Sequence, residues 1–364
     1  MKSKILFILH LPPPVHGSSM VGQYIKDSKV VDSSFDAKFI NLSTSLSIDE
    51  IGKNPILKIG RYFKIVFKFI WYLFSFKPET VYLAITAKSV GFYKDLPFAL
   101  LTKLFKKKLV LHYHNKGVRI NQNNPLDNLL YHILFKNTKV ILLSERLYKD
   151  VSKYVKKENV FDCPNGILVK NQEEKITPTN KSGPRILFLS NLIESKGVYA
   201  LLDALKILND NHVKFYCNMV GGEGDISLSQ LNKKISDLNL QNCVSYLGKK
   251  YNDDKDEIFK LSDIFVFPTH YHNECFPLVL LEAMMFGLPV ISTNEGGIPD
   301  IVKNGETGFI VDKQNPEKLA EKIKHLIDNP EKASLMGEKG REHFLEKYTL
   351  EVFERRIVHI LNQI

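Results

Sequence analysis

The sequence has little cysteine: four in 364 residues, Cys163, Cys217, Cys243 and Cys275, with no CxxC spacing and no pairing pattern. That argues against a disulfide framework or a thiolate metal knuckle, and the four read as small core or strand residues in a reducing compartment. Low-complexity segments and short repeats are absent as well. One apolar run, 56–76, is long enough to cross a bilayer, but Lys58, Arg61, Lys64 and Lys68 interrupt it and argue against spanning. The opening "MKSKILFILHLPPP" imitates a signal peptide, yet its apolar core is short, contains His10 and runs into three prolines, so it reads as a first β-strand. "GGEGDIS" after a strand lacks the full GxGxxG of a dinucleotide turn. The Asp-x-Asp of "DDKD" (253–256) reads as a solvated turn before a helix, and no metal requirement is expected. No RNA-binding motif accompanies the basic residues, so no nucleic-acid partner is expected.

What is there is an ordinary globular composition, 44% hydrophobic and 25% charged, of a length that suggests two domains. The net charge of +10 is uneven: residues 1–167 hold 26 Lys+Arg against 12 Asp+Glu, the remainder 24 against 28. Such asymmetry points the first half at something anionic, and by charge alone nucleic acid and an acidic membrane surface both fit.

Two series of short strands alternate with helical segments. "KILFILH" (4–10), "KFINL" (38–42), "TVYLAI" (80–85), "KLVLHYH" (108–114) and "KVILLS" (139–144) form the first. "RILFLSNL" (185–192), "VKFYCNMVG" (213–221), "CVSYLG" (243–248), "IFVFPT" (264–269), "PVISTN" (289–294) and "GFIVD" (308–312) form the second, with helices such as 198–209 and 316–328 between them. Continuous apolar runs suit parallel strands covered on both faces. The expected architecture is two doubly wound α/β domains, 1–168 and 185–347, joined by the polar segment 169–184 and making a cleft where they face each other. The tail 348–364 predicts an amphipathic helix with Val352, Phe353, Ile357, Ile360 and Leu361 on its apolar side. Periodicity does not fix which domain receives it, and packing back on the first is one option.

Glu274 and Glu282 stand eight positions apart in the apolar run "NECFPLVLLEAMMFGLPV" (273–290). A buried carboxylate needs a cation or hydrogen-bond donors. The partners are either local lysines and backbone, or a ligand rich in hydroxyls. Pro277 suits the first turn of a helix, which leaves the N–H groups of Leu278 and Val279 at a positive dipole end, where phosphate binds.

With "ECFPLVLLEA" the chain resembles the E-x7-E signature of retaining glycosyltransferases of family 4. "SNLIESKG" (190–197), "VGGEGD" (220–225), "YLGKK" (246–250), "DIFVFPT" (263–269), "GLPVISTNEGGIPDIV" (287–302) and "NGETGFIVD" (304–312) follow in the family's order. "PNG" (164–166) resembles the turn that closes its first domain. The resemblance covers nearly the whole chain, strongly over 185–312 and loosely before. It implies the two-domain GT-B fold and a metal-independent transfer from a UDP-, GDP- or ADP-sugar to a hydroxyl. Glu282 would bind the ribose, Glu274 the transferred sugar near its reacting carbon, and Leu278 and Val279 the diphosphate. Lys196 would neutralise the departing phosphate, with Phe276 and Gly222 in the same donor pocket. His114, or less readily His112, would touch the donor sugar, and Gly17 would sit in the loop closing over donor and acceptor. His16 is a weaker candidate, and Ser18 would cap the following helix.

The chain departs from the family at Asn191, where the pattern carries arginine five residues before Lys196. Asparagine gives a hydrogen bond without charge or a bidentate grip. Either another basic residue substitutes, or donor binding or catalysis is weaker. The expected acceptor is a lipid-linked or cell-surface glycan. The stripe Lys58, Arg61, Lys64 and Lys68, with "LFKKK" (104–108), would attach the protein peripherally to the anionic inner face of the cell membrane, in the cytoplasm. Two other readings keep the fold: a sugar-nucleotide-binding subunit without turnover, and a sugar-nucleotide epimerase.

Overall fold

A computed structural model of the chain describes residues 2–13, 16–44, 55–170 and 183–364. Residues 171–182, most of the expected linker, lie outside that set. The chain divides into two compact units, one ending at Gly166 but completed by Leu350–Ile364, the other Ile167–Thr349.

The first unit runs β1 (Lys4–Leu9), α1 (Gly17–Asp27), α2 (Lys29–Ser34), β2 (Asp36–Asn41), α3 (Pro55–Ser75), β3 (Thr80–Ile85), α4 (Ser89–Leu104), β4 (Lys108–Tyr113), α5 (Val118–Asn121), α6 (Pro125–Phe135), β5 (Lys139–Leu142), α7 (Tyr148–Val151) and β6 (Val160–Asp162). The second runs β7 (Arg185–Leu189), α8 (Val198–Asp210), β8 (Tyr216–Val220), α9 (Leu228–Asp237), β9 (Val244–Tyr246), α10 (Asn252–Lys260), β10 (Ile264–Phe267), α11 (Leu278–Met285), β11 (Val290–Thr293), α12 (Ile298–Ile301), β12 (Gly308–Val311), α13 (Pro316–Asp328) and α14 (Pro330–Lys347). A last helix, α15 (Leu350–Asn362), returns to the first unit and packs on α2. Its Phe353, Ile357, Ile360 and Leu361 are buried, the spacing of one apolar face.

Both sheets are parallel, in the orders β2-β1-β3-β4-β5-β6 and β12-β11-β10-β7-β8-β9. The continuous apolar runs have the expected cause: β3 is buried at all six positions, and both faces of the central strands are covered. The second order is that of the dinucleotide-binding fold, read from its far edge. Strand order reverses between β1 and β3 in one unit and between β7 and β10 in the other. Ligands of open parallel sheets bind beyond the carboxyl ends of the strands at such points.

Candidate active site

In the second unit, the switch point brings together the loops that follow β7 and β10. The amide of His270 donates to Ser195 O at 2.8 Å and the Thr269 hydroxyl reaches the same oxygen at 3.3 Å. Gly197 holds φ +91°, and a Cβ there would stand 2.4 Å from Pro268 O. Only glycine lets the chain turn so close to the neighbouring loop. Lys196, one residue earlier, is thereby fixed over the sheet end. Its ammonium pairs with the carboxylate of Glu274 and lies 4.4 Å from the centroid of the Tyr271 ring. Side-chain exposures of 17% and 11% show that water screens this pair poorly. The loop carrying Glu274 is itself anchored, since Gly297 N donates to Cys275 O at 2.7 Å.

Glu282 lies on α11, and Lys255 of α10 donates to its Oε1 at 2.6 Å. Each glutamate of the apolar run therefore has a lysine partner from elsewhere in the same unit. Pro277 is the N-cap of α11, one position earlier than the first-turn placement read from the sequence. Among the described residues, no acceptor is paired with the N–H of Leu278 or Val279. Those donors stay available at a helix N-terminus. The Phe276 ring is buried edge-on to Tyr348, 5.6 Å between centroids. Asn191 and Gly222 meet directly, with Gly222 N donating to Asn191 Oδ1 at 3.2 Å.

Sequence reasoning missed Lys255 and Tyr271. No local spacing marks a lysine 27 residues before its glutamate. The "DDKD" run is also placed differently: it lies in the first turns of α10, where acidic residues complement the helix dipole. Asp256 there pairs with Lys170, and Asp254 lies 3.8 Å from Lys250.

The first unit gathers histidines at the carboxyl ends of β1 and β4. His112 is fully buried in β4, its Nδ1 bonded to the Tyr82 hydroxyl, so its ring is committed to the core. His114 follows the strand, half-buried, with a ring centroid 4.2 Å from that of His112. Its Nδ1 is enclosed without a hydrogen-bond partner among the described residues. Burial first, then the nearby His16, lowers its pKa to about 4. His10 is lowered to about 3, chiefly by burial, with Lys94, His16 and His114 adding repulsion. Gly17 opens α1, but the N-cap is His16 and not Ser18. His16 Nδ1 accepts from Ser19 N, and Ser19 Oγ accepts from His16 N at 2.9 Å, a reciprocal cap that a serine-based reading overlooks.

On α3, Phe69 and Leu73 enter the core while Phe63, Phe67, Trp71 and Phe74 point outward at 55–70% exposure. Lys64 and Lys68 share the outward face. Arg61 turns instead to the Thr44 carbonyl at 3.0 Å, so the expected four-cation stripe is shorter. Phe74 stacks edge-on with Phe105, which joins the exposed Leu104 and Lys106 to the same patch. No helix of the described residues is long and apolar enough to cross a membrane.

Residues 169–343 match the family model described as "Glycosyl transferases group 1". The chain is 29% identical to an uncharacterised glycosyltransferase of Methanocaldococcus jannaschii, over 70% of this chain and 69% of that one. It is 30% identical to the capsular polysaccharide biosynthesis glycosyltransferase CapM of Staphylococcus aureus, over 63% and 62% respectively. Its fold matches Anabaena HepE, solved in complex with UDP and glucose, with a TM-score of 0.74 at 17% identity over the full length of both chains. The family match is to the group 1 glycosyl transferases over residues 169–343, and with two parallel-sheet units of the GT-B type the chain is a glycosyltransferase enzyme.

Proposed function

We propose that the protein transfers a sugar, with retention of configuration and without a metal ion, from a UDP-, GDP- or ADP-sugar to a hydroxyl of a lipid-linked or cell-surface glycan. The observation that carries this reading is the Lys196–Glu274 pair at the β7/β10 switch point, where a cation and a poorly exposed carboxylate stand side by side. In the proposed reaction the acceptor hydroxyl attacks the anomeric carbon from the face the phosphate leaves. The C–O bond to the diphosphate breaks, and the departing phosphate oxygen takes the acceptor's proton. No protein nucleophile is required. Lys196 and the N–H groups of Leu278 and Val279 stabilise the charge that grows on the phosphate. Glu274 holds sugar hydroxyls and Glu282 those of the ribose.

The acceptor class is supported by the relative CapM, named for capsular polysaccharide biosynthesis, and by the α3 patch. Aromatic side chains beside lysines on one exposed face suit an anionic lipid surface, into whose headgroup region they insert.

A thermal-shift panel of UDP, GDP, ADP and their sugar conjugates tests the donor reading, because a ligand of the folded state raises the midpoint. One nucleotide family should stabilise the wild type and fail on Glu282→Ala. Binding without sugar transfer would favour a non-catalytic sugar-nucleotide-binding subunit, and an epimerised donor with no nucleotide released would favour an epimerase.

A further inference from the structure

Asn191 takes the place of an arginine, and its Oδ1 is already occupied by the Gly222 N–H. The positive charge of the missing arginine must then come from elsewhere if this site is to hold a diphosphate.

The side chain of Lys249 runs over Gly222. A Cβ built on Gly222 would stand 2.3 Å from Lys249 Cε and 3.3 Å from Asn191 Oδ1, so the lysine tip and the asparagine oxygen flank the same point. A side chain at 222 would occupy the path of the lysine. The segment bearing Lys249 is fastened there by three bonds: Leu247 N to Met219 O at 2.9 Å, Gly221 N to Gly248 O at 3.0 Å, and the Tyr246 hydroxyl to Gly221 O at 2.7 Å. The neighbouring lysines are engaged, Lys250 near Asp254, Lys255 with Glu282 and Lys196 with Glu274. Among the described residues, Lys249 has no carboxylate within ion-pair distance.

We propose that Lys249, reaching from the end of β9 across Gly222 to Asn191, is a phosphate-binding residue of the donor site and supplies the charge that Asn191 lacks. The assignment rests on the donor reading given above. A lysine is a single point charge on a flexible stem, whereas arginine grips two oxygens at once. Charge without a fork makes the site more sensitive to salt and less selective in geometry.

The test is titration of the wild type and of Lys249→Ala, Lys249→Arg, Asn191→Arg and the double variant Asn191→Arg/Lys249→Ala. The probes are the nucleoside diphosphate that stabilises the wild type and the matching free nucleoside. Lys249→Ala should weaken the diphosphate about tenfold, the loss of one charge-assisted bond, and leave the nucleoside unchanged. Lys249→Arg should bind as the wild type does. Asn191→Arg should restore binding to Lys249→Ala, since the charge returns from the other loop. Equal diphosphate binding by Lys249→Ala and the wild type, or failure of the double variant to recover, would overturn the assignment. If Glu282→Ala still loses the nucleotide in that case, the donor reading survives without Lys249. If the wild type binds none of UDP, GDP and ADP, both fall together.

Discussion

Lys255 Nζ donates to Glu282 Oε1 at 2.6 Å, across 27 residues of chain, with both side chains about one-fifth exposed. The bond uses one carboxylate oxygen and leaves Oε2 to accept from a pair of vicinal hydroxyls. Lys255 is therefore a positioning residue for the proposed ribose contact. Replacing it by methionine keeps the stem and removes the charge. Nucleotide Kd is expected to rise about fivefold, with a modest fall in the unliganded midpoint, for the loss of one half-buried charged bond. Titration of the two proteins checks this. Tighter binding by Lys255→Met would mean that the lysine competes with the ribose instead of orienting its partner.

Glu274→Gln keeps the shape and one acceptor oxygen of the side chain while deleting its charge. The proposed role is toward the transferred sugar, so nucleoside diphosphate affinity should stay within about twofold while kcat falls on the order of 10²-fold. Steady-state kinetics beside direct titration separates the two. A parallel loss of both would place Glu274 in simple donor binding.

The only tryptophan of the sequence, Trp71, lies on the outward face of α3 at 60% exposure. It is a built-in reporter of the lipid reading. Vesicles containing phosphatidylglycerol should shift its emission to shorter wavelength, and pure phosphatidylcholine should do so much less. Lys64→Glu/Lys68→Glu should abolish the difference, each lysine being worth about 1 kcal/mol near an anionic surface. Emission unchanged by anionic vesicles would refute attachment through this helix.

His114 and His10 titrate at about 4 and about 3 in the folded protein, against 6.5 for a free side chain. Between these values the unfolded chain binds more protons than the folded one, so stability falls as pH drops from about 6.5 toward 4. The slope is at most about 1.4 kcal/mol per pH unit for each group. The dependence fades only about one pH unit above 6.5, where the unfolded histidines have lost their protons as well. Midpoints measured from pH 7.5 to 4 should show a shallower acid limb in His114→Gln than in the wild type. Identical limbs would mean that His114 takes up its proton without cost.

The alternation of strands and helices was legible because buried parallel strands leave uninterrupted apolar runs, and among the described residues eleven of the twelve strands overlap the runs read from sequence. The strand that escaped, β6, has three residues, half-buried or exposed, and carries no such run. Glu274 and Glu282 stood out as two carboxylates in an apolar run, whereas Lys196 drew attention only through the family resemblance. Lys255 and Lys249 were not, because each meets its neighbour through tertiary packing that no local period encodes. His16 as a cap was hidden for a different reason. Its role depends on a side-chain geometry that serine and asparagine more commonly provide.

The return of α15 to the first unit bears on how the chain is made. Synthesis runs from the N-terminus, yet residues 350–364, which bring Phe353 and Ile357 into the first unit's interior, emerge only after all of Ile167–Thr349. The strands described for the second unit, β7 to β12, all emerge before then. The unit that starts first therefore finishes last, with the face of α2 uncovered on the ribosome in the interval.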